Sequence, residues 1–120
     1  MQDSSHRIED IDTDIIILLA RYGYADILKL ILEDLSQKQI DIREHLDNSL
    51  IAAAIKDRGE VIKTLLRSFY FSKDALDKAI ISAASRYSTN SIRLIEDYAR
   101  SNGIALDKES MKKELSKFIK

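Results

Sequence analysis

Two stretches of this chain carry the same apolar pattern at a fixed distance. Ile16-Ile17-Leu18-Leu19-Ala20 through Ile27-Leu28-Lys29-Leu30-Ile31-Leu32 superimposes without a gap on Leu50-Ile51-Ala52-Ala53-Ala54 through Val61-Ile62-Lys63-Thr64-Leu65-Leu66, a shift of 34 residues. A third copy, Ile80-Ile81-Ser82-Ala83-Ala84 through Ile92-Arg93-Leu94-Ile95, follows about 30 residues later, its register open by one residue. A sequence that repeats at such a period folds as stacked copies of one small unit, because no single unit can bury its apolar face alone.

Within each copy the apolar spacing is helical. Ile27, Leu28, Leu30, Ile31 and Leu35 fall on one face of a helix, as do Val61, Ile62, Leu65 and Leu66, and again Ile92, Leu94, Ile95 and Tyr98 or Ala99. A shorter Ala- or Ile-rich helix precedes each of these. No segment shows the alternation of a strand. The sequence therefore predicts an all-α chain of three antiparallel helix pairs over 14–37, 48–68 and 77–101, in one domain spanning 1–120. Asp14 and Asn48 share a repeat position ahead of the first helix, where a side-chain oxygen caps free N–H groups. Residues 1–11 are expected as a polar N-terminal segment. Residues 108–119, with Met111, Leu115, Phe118 and Ile119 on one stripe, are expected as a capping helix.

These pairs resemble ankyrin repeats. The closest match is Leu19-Ala20-Arg21-Tyr22-Gly23-Tyr24-Ala25-Asp26-Ile27-Leu28-Lys29-Leu30-Ile31-Leu32-Glu33. Gln39-Ile40-Asp41-Ile42 resembles the linker of that family, and Asn102-Gly103-Ile104-Ala105-Leu106-Asp107 resembles a repeat end with a glycine stop. The likeness covers about residues 14–107. The chain departs from the family by having no proline, by placing Asp57 where the turn glycine belongs in the second copy, and by having no glycine there in the third. The linker Ser68-Phe69-Tyr70-Phe71-Ser72-Lys73-Asp74 is too short for a full finger. The resemblance implies a solenoid-like stack that binds other proteins and does no chemistry.

Composition narrows the function classes. With 45% hydrophobic and 32% charged residues, the chain is too apolar for a disordered tail. Nineteen basic residues against 20 acidic ones leave no bulk positive charge for nucleic acid. The longest apolar run, Ile15 to Ala20, is far too short to span a bilayer, so no membrane contact is expected. The absence of cysteine removes disulfides and thiolate chemistry and suits a reducing cytoplasm. The Ile- and Lys-rich, proline-free composition resembles that of AT-rich intracellular bacteria, which suggests delivery to a host cytosol.

Catalytic and metal motifs fail on inspection. Asp10, Asp12 and Asp14 have the spacing that opens an EF-hand loop, but Ile15 stands at the required glycine and Arg21 at the bidentate Glu. His6 and His45 lack a set of further ligands at metal spacing. Glu33-Asp34 and Glu96-Asp97 sit on polar helix faces, away from any pocket that would separate their pKa values. No serine lies in a nucleophile elbow. The chain is expected to need no cofactor and to be no enzyme.

Interaction residues are better supported. Tyr22 and Tyr24 flank Gly23 in a predicted turn, Arg86 and Tyr87 recur at a similar place in the third copy, and Phe69, Tyr70 and Phe71 crowd a linker. Tyr and Arg are the types that anchor interfaces, although Phe69, Phe71 and one or two of the tyrosines serve equally well as plugs between repeats. Partner contacts are expected at Tyr22, Tyr24, Arg43, Glu44, His45, Tyr70, Phe71, Lys73, Arg86 and Tyr87. Charge is uneven: residues 1–60 hold 13 acids and 7 bases, residues 61–120 hold 7 acids and 12 bases. Two readings stay open. One is a regulator, most simply an inhibitor, that covers a partner enzyme. The other is a self-associating adaptor whose acidic and basic halves pair between subunits as a homodimer.

Overall fold

The computed structural model describes residues 13–107 together with 109, 112, 113, 116 and 117. These residues form six helices and no strand: α1 (Thr13–Arg21), α2 (Ala25–Gln37), α3 (Arg43–Ile55), α4 (Gly59–Ser68), α5 (Lys73–Ser85) and α6 (Thr89–Ser101). Most of the expected capping helix at 108–119, and all of the polar segment at 1–11, lie outside the described residues.

Helices pack in two ways. Each odd helix lies against the even helix that follows it, closing three hairpins. In addition α1 packs on α3 and α3 on α5, while α2 packs on α4 and α4 on α6. Small side chains make the first series possible. Ala20, Ala52, Ala53, Ala54, Ala75, Ala79 and Ala83 are all buried, so helix axes can approach closely. Leu28, Leu32, Leu35, Ile62, Leu65 and Ile95 from the second series fill the space behind them and are essentially inaccessible to water.

Five helix ends share one device. At Gly23, Gln39, Asp57, Tyr87 and Gly103 the backbone turns left-handed, with φ of 85°, 63°, 55°, 57° and 67°. In each case the following N–H donates to a carbonyl five residues back: Tyr24 to Leu19, Ile40 to Leu35, Arg58 to Ala53, Ser88 to Ala83 and Ile104 to Ala99, at 2.8–3.1 Å. This Schellman arrangement satisfies carbonyls that a helix end leaves free. Gly23, Asp57 and Tyr87 are thus equivalent positions, which fixes the third register at 30 residues after the second. Helix α4 ends differently, with Phe69 extended.

Two of the helix pairs start earlier than the apolar pattern predicts. Helix α3 begins at Arg43, not near 48, because Asp41 Oδ1 accepts from the Arg43 N–H at 3.0 Å and opens the helix there. Helix α5 begins at Lys73, not near 77, because Ser72 Oγ accepts from the Ala75 N–H at 3.2 Å. Asn48 consequently lies within α3 and caps nothing.

Candidate interaction surface

The odd helices all run the same way, so their N-termini gather at one edge and their C-termini at the other. A length of 13 residues, the span of α3 and of α5, separates those edges by about 20 Å. The ten residues expected at a partner surface divide accordingly. Tyr22, Tyr24, Arg86 and Tyr87 sit at the C-terminal edge, whereas Arg43, Glu44, His45, Tyr70 and Lys73 sit at the N-terminal edge.

Phe71 belongs to neither group. It is fully buried in the core, and its expected role in partner binding is corrected. The linker is so short that an extended segment between α4 and α5 must turn one aromatic ring inward. Tyr70, next to it, points out and is 62% exposed. Arg43, Glu44 and Lys73 are first-turn helix residues rather than linker residues. Lys73 Nζ pairs with Asp77 at 2.8 Å, a bond that holds its ammonium above the usual lysine value. His45 is half-buried, and its Nδ1 makes no hydrogen bond among the described residues.

Between the two edges runs a groove over α3. One concavity of about 350 Å³ is lined by Ile17, Arg21, Asn48, Ile51, Ala52, Ile55, Lys56 and Arg86. A second, of about 430 Å³, is bounded by the first turns of α3 and α5 and shares Asn48 and Ile51 with it. The first has an apolar floor of isoleucines and a basic rim. Arg21, Lys56 and Arg86 each stand at the C-terminal end of an odd helix, where carbonyl dipoles favour positive charge. None of the three side chains forms an ion pair among the described residues. The second concavity is mixed in charge. There Lys78 pairs with Asp74 at 3.3 Å. Asp47 leaves Oδ1 buried without a hydrogen bond. Burial raises the Asp47 pKa above the usual carboxylate value; Arg43 and Lys78 pull it down and Asp74 pushes it up.

The sequence alone does not mark Asn48 and Ile51 as groove residues, because Asn48 reads as a cap and Ile51 as repeat pattern. Nor does it mark the row of Arg21, Lys56 and Arg86 as a unit. The available signal was a basic residue recurring once per repeat at the end of the first helix.

No protein-family model, curated protein or solved structure matches this chain. Its function is therefore read from its own geometry. No group of three or more metal-ligating side chains occurs among the described residues, and no described helix is long and apolar enough to cross a membrane.

Proposed function

We propose that this chain is a non-catalytic protein-binding module, an ankyrin-like stack of three helix pairs that regulates a partner enzyme in the cytosol by covering part of its surface. The observation that carries the reading is the groove over α3. Three cations from successive repeats, with no ion pair among the described residues, line one rim of an apolar floor, an arrangement suited to an acidic and partly apolar segment of another protein. The common left-handed turn and the repeat-to-repeat packing support the ankyrin-like part of the reading, because they give each first helix the same orientation. Nothing lining the groove has the paired base and nucleophile that catalysis requires.

The test is capture of partners by the tagged protein beside a variant carrying Arg21→Glu, Lys56→Glu and Arg86→Glu. A genuine groove partner is retained by the parent protein and lost from the variant. Its enzymatic activity, measured with and without the parent protein, then gives the sign of regulation. A partner retained equally by both proteins removes the groove from the account.

A further inference from the structure

The face of the first helix pair that points away from the rest of the protein is apolar. Ile15, Leu18 and Tyr22 form one stripe on α1, and Ile27 and Leu30 one on α2, with Tyr24 between them at the turn. Their exposures run from 43% to 66%. These are not scattered surface residues, because the repeat register gives all of them except Tyr22, whose equivalents are the exposed Lys56 and Arg86, a counterpart with a structural task. Tyr24 corresponds to Arg58 and Ser88, which reach back to the preceding pair: Arg58 Nε donates to the Arg21 carbonyl at 2.7 Å and Ser88 Oγ to that of Ile55 at 3.3 Å. Ile27 corresponds to Val61 and Ser91, both fully buried. Leu30 corresponds to Leu94, which packs near Gly59 of the preceding pair. Ile15 and Leu18 correspond to the buried Ser49 and Ala52. These positions, which meet a preceding helix pair in the second and third units, carry exposed apolar residues in the first unit; Asn90, which lies beside Gly59, is the exception, its first-unit equivalent being Asp26.

We infer that this end face is the interface of a symmetric dimer, in which a second copy of the chain lays the same face against it. Three observations choose the second copy. The opposite end of the protein does not complement the face: Lys63, Leu66 and Arg67 of α4 line a shallow concavity against Leu94 and Tyr98 of α6, and their equivalents one repeat later are Arg93, Glu96 and Asp97, so head-to-tail stacking would bury charge against aliphatic side chains. Residues 1–12 offer only Met1, Ile8 and Ile11 as apolar side chains, too few to cover four aliphatic and two aromatic ones. The patch amounts to on the order of 500 Å² per copy, so a self-complementary pairing removes about 1,000 Å² from water, the lower bound of a specific interface. An apolar patch meeting its own copy across a two-fold axis also closes the assembly at two subunits.

This dimer differs from pairing of the acidic and basic halves, which salt would loosen. Sedimentation equilibrium of the full chain is expected to give twice the 13.7 kDa monomer mass. The mass should persist at high salt and fall to that of the monomer on Leu18→Glu with Leu30→Glu. The change corresponds to a dissociation constant weakened at least about a hundredfold. Both sites are exposed, so helical content by circular dichroism stays unchanged. Because the chain has no cysteine, Leu18→Cys alone reports on the interface: oxidation links two copies, whereas Asp97→Cys at the far end does not. A monomer at every accessible concentration overturns the inference. So does a dimer that survives the double substitution, or one that dissociates in salt. A monomer that dimerises only after Ile8→Glu with Ile11→Glu identifies the chain's own N-terminal segment as the cover instead, and likewise overturns it.

Discussion

The carboxylate of Asp57 receives two hydrogen bonds from Ser91, 34 residues later: one from the backbone N–H at 2.9 Å and one from the hydroxyl at 2.6 Å. Asp57 lies in the turn between α3 and α4, and Ser91 in the first turn of α6. The turn of one repeat thus caps the second helix of the next from outside, satisfying an N–H that α6 cannot satisfy itself. The negative charge also faces the positive end of the α6 dipole.

Removing this contact weakens the joint between the second and third helix pairs. Asp57→Ala is expected to cost about 2 kcal/mol, through loss of both bonds and a poorer fit to the left-handed backbone. Asp57→Asn keeps an oxygen and tolerates the same backbone, so its cost is smaller, about 0.5–1 kcal/mol. Urea unfolding of Asp57→Ala, Ser91→Ala and the double variant should return a coupling of about 1 kcal/mol. Strictly additive losses would mean that the two residues act apart.

Tyr87 holds the same left-handed conformation as Gly23 but carries a side chain that is 77% exposed. Little packing is lost on removing it, while a glycine relieves the strain of a bulky residue at positive φ. Tyr87→Gly should therefore raise stability by about 0.5–1 kcal/mol, and Gly23→Ala should lower it by about 1 kcal/mol. Thermal melts of the two variants are expected to move in opposite directions. A Tyr87→Gly protein that melts lower would show that the ring has packing that its exposure hides.

Phe71 separates a core role from an interface role. Phe71→Ala should destabilise the fold by about 3–5 kcal/mol, because it removes a large buried ring and leaves a cavity. Tyr70→Ala, on the adjacent exposed side chain, should stay within about 0.5 kcal/mol. Equal stability of the two variants in denaturant would contradict the inward orientation of Phe71.

Asp47 makes stability depend on pH in a predictable direction. Its native pKa lies above its unfolded value, chiefly through burial. Between about 3.9, the ordinary aspartate value, and the raised native value, the folded state binds more protons than the unfolded one. Its contribution to stability therefore falls as pH rises through that window and stays unfavourable at neutral pH. Asp47→Asn should be the more stable protein at pH 7, with the advantage shrinking as pH falls through that window toward about 4 and constant below it. A difference that grows on acidification would reverse the assignment.

The helical class and the repeat were legible in the sequence because both are periodicities. Leu28, Ile31, Leu32 and Leu35 return at helical spacing whatever surrounds them, and the gapless match of Ile16–Leu32 to Leu50–Leu66 needs no three-dimensional information. Helix starts were less legible. Asp41 and Ser72 are ordinary polar residues until the chain bends to bring an N–H onto each, so the pattern placed the beginnings of α3 and α5 too late. The groove was less legible still. Arg21, Asn48, Ile51, Lys56 and Arg86 become neighbours only when α1, α3 and α5 lie side by side.

The sequence by itself determined that this chain forms helices, that they come in three related pairs, and which faces are apolar, because helical spacing and internal repetition are local or one-dimensional properties. Tertiary structure alone decided which of those apolar faces are covered. Val61 and Ile27 occupy the same repeat position and are chemically alike, yet Val61 is buried and Ile27 is half exposed. The difference lies in having a preceding helix pair, and no property of either side chain records it.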